Sequence, residues 1–105
     1  MGYPLQEVNV MSPSVEEIRQ TVLPILHRYG VTRAAVFGST VRGQSHPESD
    51  IDILVRIDKN ISLLDFVGLK LDLEQALNRR VDLVEYDAIK PRLRERILEE
   101  QEMIV

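Results

Sequence analysis

Cysteine is absent from the 105 residues. Without thiols there is no disulfide, no thiolate metal site and no cysteine nucleophile. No apolar run approaches the length needed to span a bilayer. The N-terminal MGYPLQEVNV lacks a signal-peptide pattern, and Gln6 breaks the myristoylation pattern, so a cytoplasmic location is expected. A basic excess is also missing: the net charge is -4, which argues against direct nucleic-acid binding. Internal repeats and low-complexity segments are not visible. What remains is ordinary for a globular chain, with 44% hydrophobic and 29% charged residues. One domain over residues 1–105 is expected, with residues 1–12 as a tail or arm in which Val8 and Val10 suit an edge strand.

The pattern predicts alternating helices and strands. Ser14 and Glu17 form a capping box ahead of Val15, Ile18, Val22, Ile25 and Tyr29 at helical spacing. Pro24 inside that pattern should kink or restart the helix, and Gly30 suits its end. Arg33 to Phe37 reads as a strand apolar on both faces, hence central. Thr40 to Gly43 suits one helical turn, and Asp58 to Asn60 a turn. Ser62 caps a helix over about 63–78 whose apolar residues cover more than half its circumference. That breadth fits either burial between the sheet and another helix or a surface that meets a partner chain. Val81 to Tyr86 is a third strand. Pro91 opens a last helix running towards the C-terminus, with Leu93, Ile97 and Ile104 inward.

The informative stretch is 38–57, GSTVRGQSHPESDIDILVRI. Ile51, Ile53, Val55 and Ile57 alternate with Asp50, Asp52, Leu54 and Arg56. One face is core, and the other opens with two carboxylates about 6–7 Å apart. Such a pair attracts cations and can bridge two divalent ions; oxygen-only ligands favour Mg²⁺ or Mn²⁺. If the strand with Asp82 is a neighbour, packing Val81 and Leu83 against the isoleucines puts Asp82 on the aspartate face. Gly38 and Ser39 leave a strand in a tight turn whose backbone N–H groups suit a phosphate. Arg42 either directs charge towards that phosphate or caps the turn, and Gly43 serves the turn.

Other residues read more plainly. His46 and His27 fit exposed and structural roles. Glu85 and Asp87 oppose Asp82 on an ideal strand. Arg92, Arg94 and Arg96 suit a solvated face offset by Glu99, Glu100 and Glu102.

The combination G-S-x-x-R-G, S-D-x-D and a later V-D-L strand resembles the nucleotidyltransferase superfamily of DNA polymerase beta. The short length resembles its minimal nucleotidyltransferase (MNT) family, many members of which are antitoxins encoded beside a helical HEPN-domain toxin. The resemblance implies an α/β (α+β) fold, a small mixed sheet of three to four strands with helices packed on one face. It implies nucleotide binding by Gly38 and Ser39, beside which Arg42 is a further nucleotide-binding candidate, and a catalytic, metal-holding triad of Asp50, Asp52 and Asp82. Two Mg²⁺ ions (Mn²⁺ is an alternative), ATP as substrate and a HEPN-family toxin as partner follow. The implied reaction moves AMP onto a hydroxyl of the toxin, with Asp82 as general base, as in a type VII-like toxin–antitoxin pair. Two alternatives stay open: inhibition by binding alone, and transfer to a small molecule such as an antibiotic. Homo- or hetero-oligomers are both compatible.

Overall fold

The computed structural model describes residues 13–42, 49–57 and 60–105, with the backbone alone at Ser39. The expected arm with Val8 and Val10, Gly43, His46 and the start of the turn at Asp58 lie outside these residues.

Helix α1 spans Val15–Arg28. Its capping box forms as expected: the Glu17 N–H donates to Ser14 Oγ at 3.1 Å, and the Ser14 N–H donates to Glu17 Oε1 at 2.9 Å. Pro24 does not divide the helix. The buried Ile18, Val22, Ile25 and Leu26 anchor both halves on the sheet, while Pro24 faces solvent. Gly30 follows the cap residue Tyr29 with φ 78, the left-handed position that glycine takes at low cost.

Four strands follow: β1 (Val31–Phe37), β2 (Ile51–Ile57), β3 (Val81–Glu85) and β4 (Glu102–Met103). Their order is β3-β2-β1-β4. β1 is antiparallel to β2 and β4, and β2 is parallel to β3. The parallel pair requires a crossover, supplied by helix α2 (Leu63–Leu77). Ser62 caps α2 through the Asp65 N–H at 3.1 Å, and Asn78 ends it in the left-handed region.

Packing sorts the residues by strand parity. The main core joins Ile18, Val22, Ile25 and Leu26 of α1 to Ala34, Val36, Ile51, Ile53, Val55, Val81 and Leu83 of the sheet and to Leu69 and Leu73 of α2. The expectation of helices on one face therefore holds for α1 and α2. Helix α3 (Pro91–Glu100) departs from it: Ile97 and Leu98 pack with Phe37, Val84 and the buried Leu54, Tyr86 and Ile89 on the opposite face.

The chain end also differs from expectation. α3 stops at Glu100, and Glu102–Met103 pairs with β1. Ile104 is buried in the main core, but from this strand, and its N–H donates to the Ala34 carbonyl at 2.9 Å. Leu93 is exposed rather than inward. Strand pairing wins here because it satisfies the backbone groups on the outer edge of β1, and Arg19 donates to the Met103 carbonyl at 2.6 Å.

α2 is not buried all round. Leu69 and Leu73 are fully buried, yet Leu63 is 79% exposed, Leu64 83%, Val67 41% and Leu71 55%. These four share one helical face, so half of the broad apolar stripe faces solvent. No helix among the described residues is long and apolar enough to cross a membrane.

Candidate active site

β2 and β3 run in register with Asp52 opposite Asp82, Ile51 opposite Val81 and Ile53 opposite Leu83. Apolar partners on the core face thus carry the two aspartates to the other face. Neighbouring strands lie about 4.8 Å apart, so the carboxylates emerge side by side. Asp50 is exposed one residue ahead of β2. Backbone and side-chain contacts fix this strand entrance. The Ile51 N–H donates to the Arg80 carbonyl at 2.9 Å, and Arg79 Nη2 donates to the Ser49 carbonyl at 2.7 Å.

The Gly-Ser turn meets the same spot. Phe37, the last residue of β1, lies opposite Asp52, and Gly38–Thr40 then forms a 3₁₀ turn. Gly38 has φ 76, and a Cβ there would sit 2.2 Å from Asp52 Oδ2. Glycine is required twice over, by the backbone angle and by the close approach of the carboxylate. The backbone of Ser39 lies in this turn. The Thr40 hydroxyl is buried with no hydrogen-bond partner among the described residues.

Electrostatics identify Asp52 as the strained member. Burial raises its carboxyl from the ordinary 3.8 to about 6, the Asp82 and Asp50 charges add to the rise, and Arg42 offsets part of it. A half-buried carboxylate that resists ionisation beside two other carboxylates fits a cation, which would relieve the repulsion. Oxygen-only donors suit a hard divalent ion. Among the described residues, however, no group of three or more His, Cys, Asp or Glu side chains is already poised to hold a metal ion. Asp52 and Asp82 adjoin, whereas Asp50 stays at the exposed rim.

An open cleft of about 430 Å³ lies beside the aspartates, lined by Asp50, Lys70, Glu74, Arg80, Val81 and Asp82. Sequence reasoning missed Glu74. Its Oε2 accepts from the Val81 N–H and from Lys70 Nζ, each at 2.9 Å. Those two bonds, the Val81 amide first, hold the Glu74 carboxyl below its ordinary value. Glu74 therefore pins the start of β3, one residue before Asp82. Nothing in a helical i, i+4 pattern signals that a carboxylate will cap a strand seven residues on.

Arg42 follows the turn, and its Nη1 reaches both carboxylate oxygens of Glu100 on α3, at 3.1 and 3.4 Å. Arg96 also contacts Glu100, while Arg92 and Arg94 lie on the exposed face expected of them. Asp87 pairs weakly with Arg56 at 3.9 Å, away from the aspartates. His27 is exposed.

Comparison with known proteins agrees with this geometry. Residues 20–105 match the family model described as polymerase beta, nucleotidyltransferase. A Methanocaldococcus jannaschii protein named as a candidate protein adenylyltransferase is 46% identical over 87 residues, covering 83% of this chain and 94% of its own. Protein adenylyltransferase MntA of Thermococcus cleftensis is 37% identical over 97 residues, covering 91% of each chain. A solved structure of a candidate minimal nucleotidyltransferase superposes with a TM-score of 0.73 at 41% identity, over 85% of this chain and 94% of the other. The turn at Gly38, the paired strands carrying Asp52 and Asp82, and a family match over 86 of the 105 residues leave one assignment: the chain belongs to the polymerase beta nucleotidyltransferase family.

Proposed function

We propose that the protein transfers AMP from ATP to a hydroxyl of a partner HEPN-domain toxin and so acts as its antitoxin. The observation that carries the reading is the contact of the Gly38 turn with Asp52, beside Asp82 and an open cleft. The turn and Arg42 would take the triphosphate. The acceptor hydroxyl attacks the α-phosphorus, a new P–O bond forms, and the bond to the β-phosphate oxygen breaks to release pyrophosphate. Asp82 is exposed at the cleft, where it can accept the hydroxyl proton. Asp50, Asp52 and Asp82 would hold Mg²⁺ or Mn²⁺. Such ions, when bound, supply charge that activates the hydroxyl and steadies the triphosphate.

A relative named for protein adenylylation supports a protein acceptor. The cleft beside Asp82 is open, so a protein surface can reach it. The exposed ridge of Leu63, Leu64, Val67 and Leu71 provides a surface for that partner, and Lys70 and Glu74 of the same helix line the cleft. The same ridge supports the second reading, inhibition by docking alone.

The two readings separate in one experiment. The chain, Mg-ATP and the protein encoded beside it are incubated, and the partner's intact mass is measured. Mass increments of AMP that vanish in the D50N/D52N variant are expected. An unchanged partner mass, with inhibition intact in that variant, would leave docking as the function.

A further inference from the structure

We infer that Glu100 is a positioning residue for nucleotide binding: it holds the Arg42 guanidinium beside the Gly38 turn, ready for the outer phosphates of a nucleoside triphosphate. The inference rests on the proposed role of Arg42 as a triphosphate contact. Three observations lead to it. First, one guanidinium nitrogen reaches both oxygens of the carboxylate, at 3.1 and 3.4 Å, across 58 residues of sequence. Second, Glu100 is the last residue of α3, where a negative charge opposes the helix dipole. Its placement there is unfavourable for the helix alone and is compensated by Arg42 and by Arg96, whose Nε lies at 3.5 Å. Third, the Glu100 side chain is only 26% exposed, and that of Arg42 37%, so the pair is partly shielded from water.

Arg42 begins where the turn ends. Its N–H donates to the Gly38 carbonyl at 3.2 Å, so its backbone is tied to the residue that touches Asp52. Among the described residues, the Asp52 and Glu100 carboxylates both attract a long cationic side chain leaving that point. Collapse onto Asp52 would place the guanidinium on the carboxylate needed for the metal. Glu100 draws it away from Asp52 and towards α3. Pre-organisation of this kind lowers the ordering cost when the phosphates arrive. β4 begins just after Glu100 and pairs with β1, so the carboxylate is carried by a segment tied to the same sheet as the turn.

The test is calorimetric titration of the full chain with AMP-PNP in Mg²⁺, with AMP as the control ligand. E100Q is expected to weaken AMP-PNP binding roughly three- to ten-fold, the scale of one partly shielded charge-assisted contact. AMP, which lacks the outer phosphates, should bind E100Q as it binds the wild type. E100D should restore affinity to within about two-fold. E100A serves as the second variant should E100Q melt early, and the same weakening is expected of it. R42A should weaken AMP-PNP too, and E100Q should add nothing in the R42A background. If R42A binds AMP-PNP like the wild type, the assignment of Arg42 falls and this inference with it. If R42A weakens binding but E100Q and E100A do not, or if they tighten it, Arg42 stands and the role of Glu100 is overturned. Equal weakening for AMP and AMP-PNP likewise overturns it, because that pattern reports general distortion of the site.

Discussion

Replacing Asp52 with asparagine should make the metal-free protein more stable while destroying its chemistry. In the fold, burial and the neighbouring Asp82 and Asp50 raise the Asp52 carboxyl from 3.8 to about 6. The folded state therefore binds the Asp52 proton more tightly than the unfolded state does. Between about pH 4 and pH 6 the folded chain carries the extra proton, so stability falls as pH rises through that window. At full value the shift corresponds to about 3 kcal/mol; water reaches the half-buried carboxylate, which reduces it to about 1–2 kcal/mol. D52N keeps the shape and removes the charge. In EDTA at pH 7.5 it should gain about 1–2 kcal/mol, a rise of several degrees in Tm for a chain of this size. At pH 4 most of the gain should be gone, because the folded Asp52 is then protonated and the pH has fallen close to the ordinary value of 3.8, where the unfolded group takes up its proton too. Adding Mg²⁺ should stabilise the wild type and not D52N, since only the wild type offers the full carboxylate set. Urea melts at pH 4, 5, 6 and 7.5, with and without Mg²⁺, decide the matter. A D52N protein that is less stable than wild type at pH 7.5 in EDTA, or a gain of equal size at pH 4, would refute the reasoning.

Further outcomes follow from the same geometry. G38A should cost about 2–3 kcal/mol, because alanine meets both a left-handed backbone angle and Asp52 Oδ2 at 2.2 Å; a urea midpoint near the wild-type value would count against this. E74Q should lose about 1–2 kcal/mol at pH 7 by weakening the acceptor of the Val81 N–H and Lys70. Because the folded Glu74 carboxyl is held low, its contribution is present above the ordinary carboxylate range and is lost as pH falls, so the E74Q and wild-type melts should converge in acid. Substituting Leu64 and Leu71 together by serine should leave thermal stability nearly unchanged, since their side chains are largely exposed. The same pair should lower capture of the neighbour-encoded protein about ten-fold or more in a pull-down; undiminished capture would move the docking surface elsewhere.

Much of the site was legible before any coordinates. Alternation along Ile51–Ile57 dictates that Asp50 and Asp52 leave the core face, because side chains on a strand alternate strictly. The same rule places Asp82 opposite Val81 and Leu83, and the parallel register of β2 and β3 brings it level with Asp52. Gly38 after an apolar strand announces a tight turn, and its positive φ bears that out. The helix caps at Ser14 and Ser62 are local chemistry, complete within four residues, and so are readable from sequence.

What the sequence could not decide depends on groups that meet only through the fold. β4 is two residues long and exists because β1 has an edge to satisfy, so no hydrophobic period marks it. Periodicity told that α2 was broadly apolar but not which half faces solvent, since that depends on where the sheet and α1 stop covering it. Glu74 and Glu100 look like ordinary surface carboxylates in the chain. Only tertiary structure sets one on the amide that begins β3 and the other on Arg42 beside the Gly38 turn. Sequence alone determined the chemical inventory, carboxylates and a glycine turn on alternating elements, because those patterns act over a few residues. The tertiary structure decided the distances and the burial that raises Asp52, because charge coupling depends on separation in space and on the water excluded around it.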